Sequence, residues 1–262
     1  MKIKQLSQSI AFAALLGLLL MLSVHVSLQA RDNDSPGHSP RTLNATIPAT
    51  TTLQPIKDNS IFEANTNSGG ASPILLAGKT DHAGVRRALF AFDLSSIPDG
   101  AVINSVSLEL TVLTVKDRTP ATFTLHKVSK EWGEAGSSST KGQGAPAQSG
   151  DATWEHALYS TTTWSKAGGD FVSTASATSM VGDAGVYTWT SGQMISDVYA
   201  WRSEPTANFG WLLMADESVD GTIKQIASKE NSEVSMRPRL IVSYQYEQVA
   251  KTVYLPLVQR SE

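Results

Sequence analysis

Between residues 105 and 115 the chain alternates with a period of two. Val106, Leu108, Leu110 and Val112 fall on one side, and Ser105, Ser107, Glu109 and Thr111 on the other. That pattern belongs to a strand with one face on a core and one in water. Residues 85–94 alternate as well, with Arg87, Leu89 and Ala91 opposite Ala88, Phe90 and Phe92. Shorter strands are predicted at residues 60–63, 73–78, 122–128, 186–190, 208–215, 223–228 and 239–246. Turns rich in Gly, Pro, Ser and Asn separate them, as in Ser96-Ile97-Pro98-Asp99-Gly100. The period changes over residues 191–202. There Met194, Ile195, Val198 and Trp201 recur at helical spacing, and Ser191 stands where an N-cap belongs. The expected fold is all-β, a jelly-roll β-sandwich with one short amphipathic helix packed on its end.

The ends of the chain read differently. Residues 1–30 have the form of a signal peptide. Lys2 and Lys4 precede an apolar run over residues 11–22, and cleavage is expected after Ala30. An uncleaved anchor is the rival reading. Ser23 and His25 interrupt the run short of the roughly 20 apolar residues that a span needs. Residues 31–52 are rich in Ser, Pro, Thr, Asn and Asp with no apolar period, and read as a flexible linker. The sandwich domain is expected over residues 53–247. Residues 248–262 form a tail with two readings. One is a further edge strand, blunted by Pro256. The other is a sorting segment, because Tyr254-Leu255-Pro256-Leu257-Val258 resembles endings of other bacterial secreted proteins. The protein is therefore expected outside the cell or on its surface, with no membrane span after signal cleavage.

Composition narrows the chemistry. The 262 residues include no cysteine, which excludes a disulfide framework, Cys-ligated zinc and a thiol nucleophile. The fold must then rest on its core. The formal charge of −3 becomes about −5 once Lys2 and Lys4 are removed with the signal peptide. With no basic block, that charge argues against nucleic acid as a partner. No G-x-S-x-G, H-E-x-x-H or phosphate-binding loop is present.

A series of blocks is more specific. Arg86-Arg87-Ala88-Leu89-Phe90-Ala91-Phe92-Asp93-Leu94 runs on to Ile97-Pro98-Asp99-Gly100-Ala101. Lys130-Glu131-Trp132-Gly133-Glu134, Gly150-Asp151-Ala152-Thr153-Trp154 and Gly168-Gly169-Asp170-Phe171 follow. Asn208-Phe209-Gly210-Trp211-Leu212-Leu213, Ser228-Lys229-Glu230 and Arg237-Pro238-Arg239-Leu240 close the series. In this order the blocks resemble the DNRLRE-type domains, over about residues 53–246. Lys229 stands where that family often has Arg. The resemblance implies a jelly-roll sandwich secreted by bacteria and related to non-catalytic carbohydrate-binding modules. These include binders of acidic polysaccharide.

Residues 133–151 contain almost no large apolar side chain and read as a loop, where binding commonly sits. Trp132, Trp154 and Trp164 lie in or beside it, and aromatic faces of that kind suit the C–H-rich face of a sugar. The competing reading makes them plugs at the sandwich end. Trp189, Trp201 and Trp211 fall in strand or helix patterns and are expected in the core. An acidic glycan calls for cations, and Arg86, Arg87 and Lys141 are the candidates, with Lys79 and Lys229 beside them. A structural calcium is a further expectation, with Asp58, Asn59 and Glu63 near the first strands, or Asp216, Glu217 and Asp220 in the later loop, as oxygen ligands. Turn chemistry explains the same residues without a metal. An enzyme could be built from Glu131 and Glu134 as a carboxylate pair, or from His156 or Tyr159 as a base with Arg86. Non-catalytic binding of an extracellular polysaccharide or surface matrix is the expected function. A structural or adhesive surface protein is the alternative, and a lyase or hydrolase the third.

Overall fold

The computed structural model describes residues 25–26, 41–63, 65–82, 84–115, 120–140 and 142–253. All of the expected signal peptide except residues 25–26 lies outside them. So do Lys141 and the tail from residue 254. The strands are β1 (His25–Val26), β2 (Arg41–Leu53), β3 (Pro55–Phe62), β4 (Asn67–Ser68), β5 (Ile74–Lys79) and β6 (Val85–Phe92). They continue with β7 (Val102–Val115), β8 (Ala121–Lys127), β9 (Ala145–Pro146), β10 (His156–Leu158), β11 (Thr162–Thr163), β12 (Ala177–Val181) and β13 (Gly185–Thr190). Helix α1 (Gly192–Ser203) precedes β14 (Trp211–Ala215), β15 (Lys224–Ala227) and β16 (Arg239–Val253).

Two antiparallel sheets face each other, as the alternation predicted. In the first, β7 is central. Leu108 pairs with Trp189 of β13 on one edge and Leu240 of β16 on the other, and β15 follows β16 along that second edge. In the second, β6 is central. Ala88 pairs with Ser60 of β3 and with Leu213 of β14, and β8 and β12 continue outward from β14. Strand β5 belongs to both sheets. Ile74 to Ala77 pair with β15, whereas Gly78 and Lys79 pair with β6. The crossing point is Gly78, with φ of 117°. A Cβ there would lie 2.7 Å from Cα of Ile223, so only glycine turns this corner.

The main core fills the space between the sheets. Val106, Leu108, Leu110 and Val112 meet Ala88, Phe90, Phe92, Leu213 and Trp211 there. Helix α1 closes one end. Ser191 caps it, its hydroxyl accepting from the Met194 N–H at 3.1 Å, and Met194, Val198 and Trp201 are buried. Trp189, Trp201 and Trp211 all lie in this core, as the patterns required.

Residues 31–40 of the segment expected as a linker lie outside the described residues, and the rest of it differs. From Arg41 its residues form β2, paired with β16 from Leu53↔Leu240 out to Arg41↔Val253. Threonines are good strand residues, and Thr50 and Thr51 reach the hydroxyls of Ser243 and Tyr244 at 3.0 and 3.1 Å. The low apolar content arises because Ala49 and Leu53 are what it turns toward the core. Strand β7 pairs with β16 only as far as Gln245. Beyond that point β2 and β16 continue as a ribbon that no longer pairs with β7, so the tail is strand through Val253. Strand β1 pairs with β2 at Thr46 and Ala45. It precedes Ala30, so cleavage at the expected bond would remove it.

Candidate functional site

Strand β6 is buried along its whole length, which one core cannot explain. Its second face, Leu89 and Ala91, lies under residues 128–171. With Ile61, Val85, Val128, Ala152, Ala157 and Leu212 it forms a second, smaller core. The three loop tryptophans are its roof. Trp132 is 1% exposed, Trp164 5% and Trp154 9%. The Trp132 indole donates to the Phe209 carbonyl at 2.7 Å and the Trp164 indole to the Thr153 carbonyl at 2.8 Å. The sugar-stacking platform expected from these three rings is therefore not formed. The loop 133–151 that looked structureless is tied at its two ends to residues 152–159, and further in it meets residues 66–71, as where the Ala71 N–H donates to the Ser137 carbonyl at 2.9 Å. The end bonds include Gly133 to Ala157 (3.0 Å) and Ala152 to Gly133 (2.8 Å). At Gly133 a Cβ would come within 1.7 Å of the Gly150 carbonyl oxygen.

Both arginines are committed inward. Arg87 holds Glu217 with two bonds of 2.7 and 2.8 Å, donates to the Gly168 carbonyl at 2.7 Å and stacks on Trp154 at 4.7 Å. Arg86 is buried against the Phe62 ring at 4.9 Å, and desolvation lowers its pKa. Neither presents a cation to a glycan. The carboxylates flanking Trp132 do not act as a pair: Glu131 binds Lys57, and Glu134 lies 2.9 Å from the Lys229 ammonium. His156 stacks edge-on against Tyr159 at 5.4 Å, whereas the Arg86 guanidinium is packed on Phe62.

Neither expected calcium set forms a ligand cluster among the described residues. Asn59 spends its amide on the Gly133 carbonyl (3.1 Å), Ser68 and the Gly69 N–H. Glu63 accepts from the Val85 N–H at 2.7 Å. Asp216 closes a turn onto Ser218 at 2.6 and 3.0 Å. Asp58 alone meets other acids: one oxygen each of Asp58, Glu134 and Glu230 lies within 4.8 Å of the others. Burial pushes the Asp58 carboxyl well above the usual carboxylate range, and Glu230 adds to it. Burial also lifts Glu134 to about 7, despite the Lys229 ammonium beside it. Glu134 and Glu230 sit in two of the sequence blocks, but their meeting with Asp58 has no local spacing to announce it.

The surface offers a different recess. Ser129, Lys130, Ser165, Lys166, Asp170 and Ser173, with Gly169 and Phe171, line a groove of about 620 Å³. A smaller recess of about 240 Å³ lies along the same two segments, edged by Lys127, Thr174, Ser176 and Gln193. The loop is shaped by Asp170, whose carboxylate accepts the N–H groups of Ser165 (2.9 and 3.0 Å) and Lys166 (3.0 Å). Lys130 donates to the Thr163 carbonyl at 2.7 Å and lies 3.7 Å from Asp170. The Lys166 side chain is exposed, and its ammonium has no partner among the described residues. Hydroxyls, two ammonium groups and one carboxylate around an open trough can bind a polyhydroxylated chain.

Residues 49–166 match the model of carbohydrate-binding module family 96. No curated protein matches the chain. The matched span covers β3, β6, the roof tryptophans and the Ser129, Lys130, Ser165 and Lys166 side of the groove. No helix among the described residues is long and apolar enough to cross a membrane.

Proposed function

We propose that this is a secreted, non-catalytic β-sandwich that binds an extracellular polysaccharide along the Lys130–Lys166 groove. The observation that carries the reading is the carbohydrate-binding family match, whose span includes that side of the groove. The ordered likeness to DNRLRE-type domains points the same way. The rigid second core beneath, with Trp164 pinned to Thr153, holds the loop in one shape and lowers the entropy lost on binding. The ammonium groups of Lys130 and Lys166 favour a chain that carries carboxylates or sulfates.

Affinity electrophoresis of residues 31–262 through gels holding neutral and acidic polysaccharides tests this. Retardation is expected in an acidic gel, and Lys166→Glu reduces it while the fold is kept. Free migration of folded protein in every gel overturns the reading and favours a structural surface protein.

A further inference from the structure

Asp58 lies on β3, Glu134 in the loop beyond Trp132, and Glu230 in the turn after β15. Three segments distant in sequence thus converge on one point. Asp58 is 0% exposed. Its Oδ2 accepts the Lys229 N–H at 2.7 Å, but its Oδ1 is buried with no hydrogen-bond partner. Glu230 Oε2 is buried in the same condition. The Lys229 ammonium stands 2.9 Å from Glu134 Oε1, and it also contacts Glu230 Oε1. When all are ionised, three carboxylates against one ammonium leave two formal negative charges uncompensated. Buried charge is retained only when it is paired or bound to a metal.

We propose that Asp58, Glu134 and Glu230 hold one divalent cation of the calcium type. The charge deficit is that of a divalent ion. The donors are all oxygen, which hard cations require, and calcium accepts the irregular geometry that three unrelated segments impose. One oxygen of each lies within 4.8 Å of the others, close enough for a shared ion. Asp58 anchors the site to the second sheet, Glu134 to the layer over it, and Glu230 to the loop beside β5. The ion ties these three together, so its role is structural, and it does not depend on the glycan reading.

The test uses chelator-treated protein titrated with calcium chloride and, separately, terbium, with Trp132 two residues from Glu134 as the sensitising indole. One calcium per chain, a rise in melting temperature with calcium and sensitised terbium emission are expected. Asp58→Asn and Glu230→Gln lose each of these by at least tenfold in metal affinity. Glu230→Gln carries the test where Asp58→Asn fails to fold, because Glu230 is the more exposed of the two. A folded, chelator-treated protein that binds neither ion and shows no thermal shift in millimolar calcium overturns the proposal. So does metal binding that both variants retain.

Discussion

The Trp211 indole N–H donates to Asp197 Oδ2 over 2.9 Å, joining the second sheet to the helix across the closed end of the main core. The same carboxylate accepts from the Ser176 hydroxyl at 2.5 Å and, through Oδ1, from the Gln193 amide at 3.2 Å. Lys127 stands 3.8 Å away. A buried acid on a helix is thus fully engaged. Asp197→Ala leaves a buried indole N–H and a hydroxyl without an acceptor and is expected to cost about 3 kcal/mol. Asp197→Asn keeps an acceptor and costs less. Urea unfolding of both variants measures the difference.

Trp132→Ala separates a structural tryptophan from a sugar platform. The ring is enclosed by the second core and lies under the Lys57 ammonium at 4.4 Å from its centroid. Its removal is expected to destabilise the protein by about 4 kcal/mol, as for other buried aromatic truncations. Denaturant midpoint is the readout. An unchanged midpoint with lost polysaccharide binding would restore the platform reading.

Arg87 joins β6, the Gly168 turn and the Glu217 loop in one fork. Glu217→Ala leaves the guanidinium paired only with the Gly168 carbonyl and the rings of Trp154 and Phe171. The expected loss is about 2 kcal/mol, below the 3–5 kcal/mol of a fully buried pair because Glu217 is partly exposed. Arg87→Lys cannot reproduce the fork and falls on the same side. Thermal melts of both variants give the comparison.

The groove loop has its own pH dependence. Burial alone would raise the pKa of Asp170, but the N–H groups of Ser165 and Lys166, with Lys130 nearby, outweigh it and hold the carboxylate below its usual range. A depressed folded value adds stability above the unfolded pKa of about 3.9, and that stability is lost as pH falls through the folded value. The hydrogen-exchange protection of the Ser165 and Lys166 amides, relative to their intrinsic rates, should stay high near neutrality and fall toward pH 3. In Asp170→Ala protection should be low throughout. Exchange independent of pH in the native protein, after correction for intrinsic rates, sinks the assignment.

Much of the sandwich was legible because β6 and β7 carry clean alternation and Ser191 announces the helix. Strand β2 was not, because its residues are polar threonines whose fitness for a strand appears only against β16. The second core was hidden for a related reason. Trp132, Trp154, Trp164 and Phe171 follow no period, so nothing in their spacing says that they cover one sheet face. The inward turn of Arg87 depends on Glu217, far along the chain, and the carboxylate triad depends on three such distant partners. Asp58 was legible as a ligand type, whereas its companions could be found only by folding.

The β2–β16 ribbon has a mechanical consequence. Arg41 and Val253 are cross-strand partners, so tension applied through the chain before Arg41 and after Val253 enters at one end of the ribbon. Its rungs are loaded one after another, as in peeling, rather than together in shear. The ribbon is then expected to open from its Arg41–Val253 end before the sandwich and its groove are disturbed.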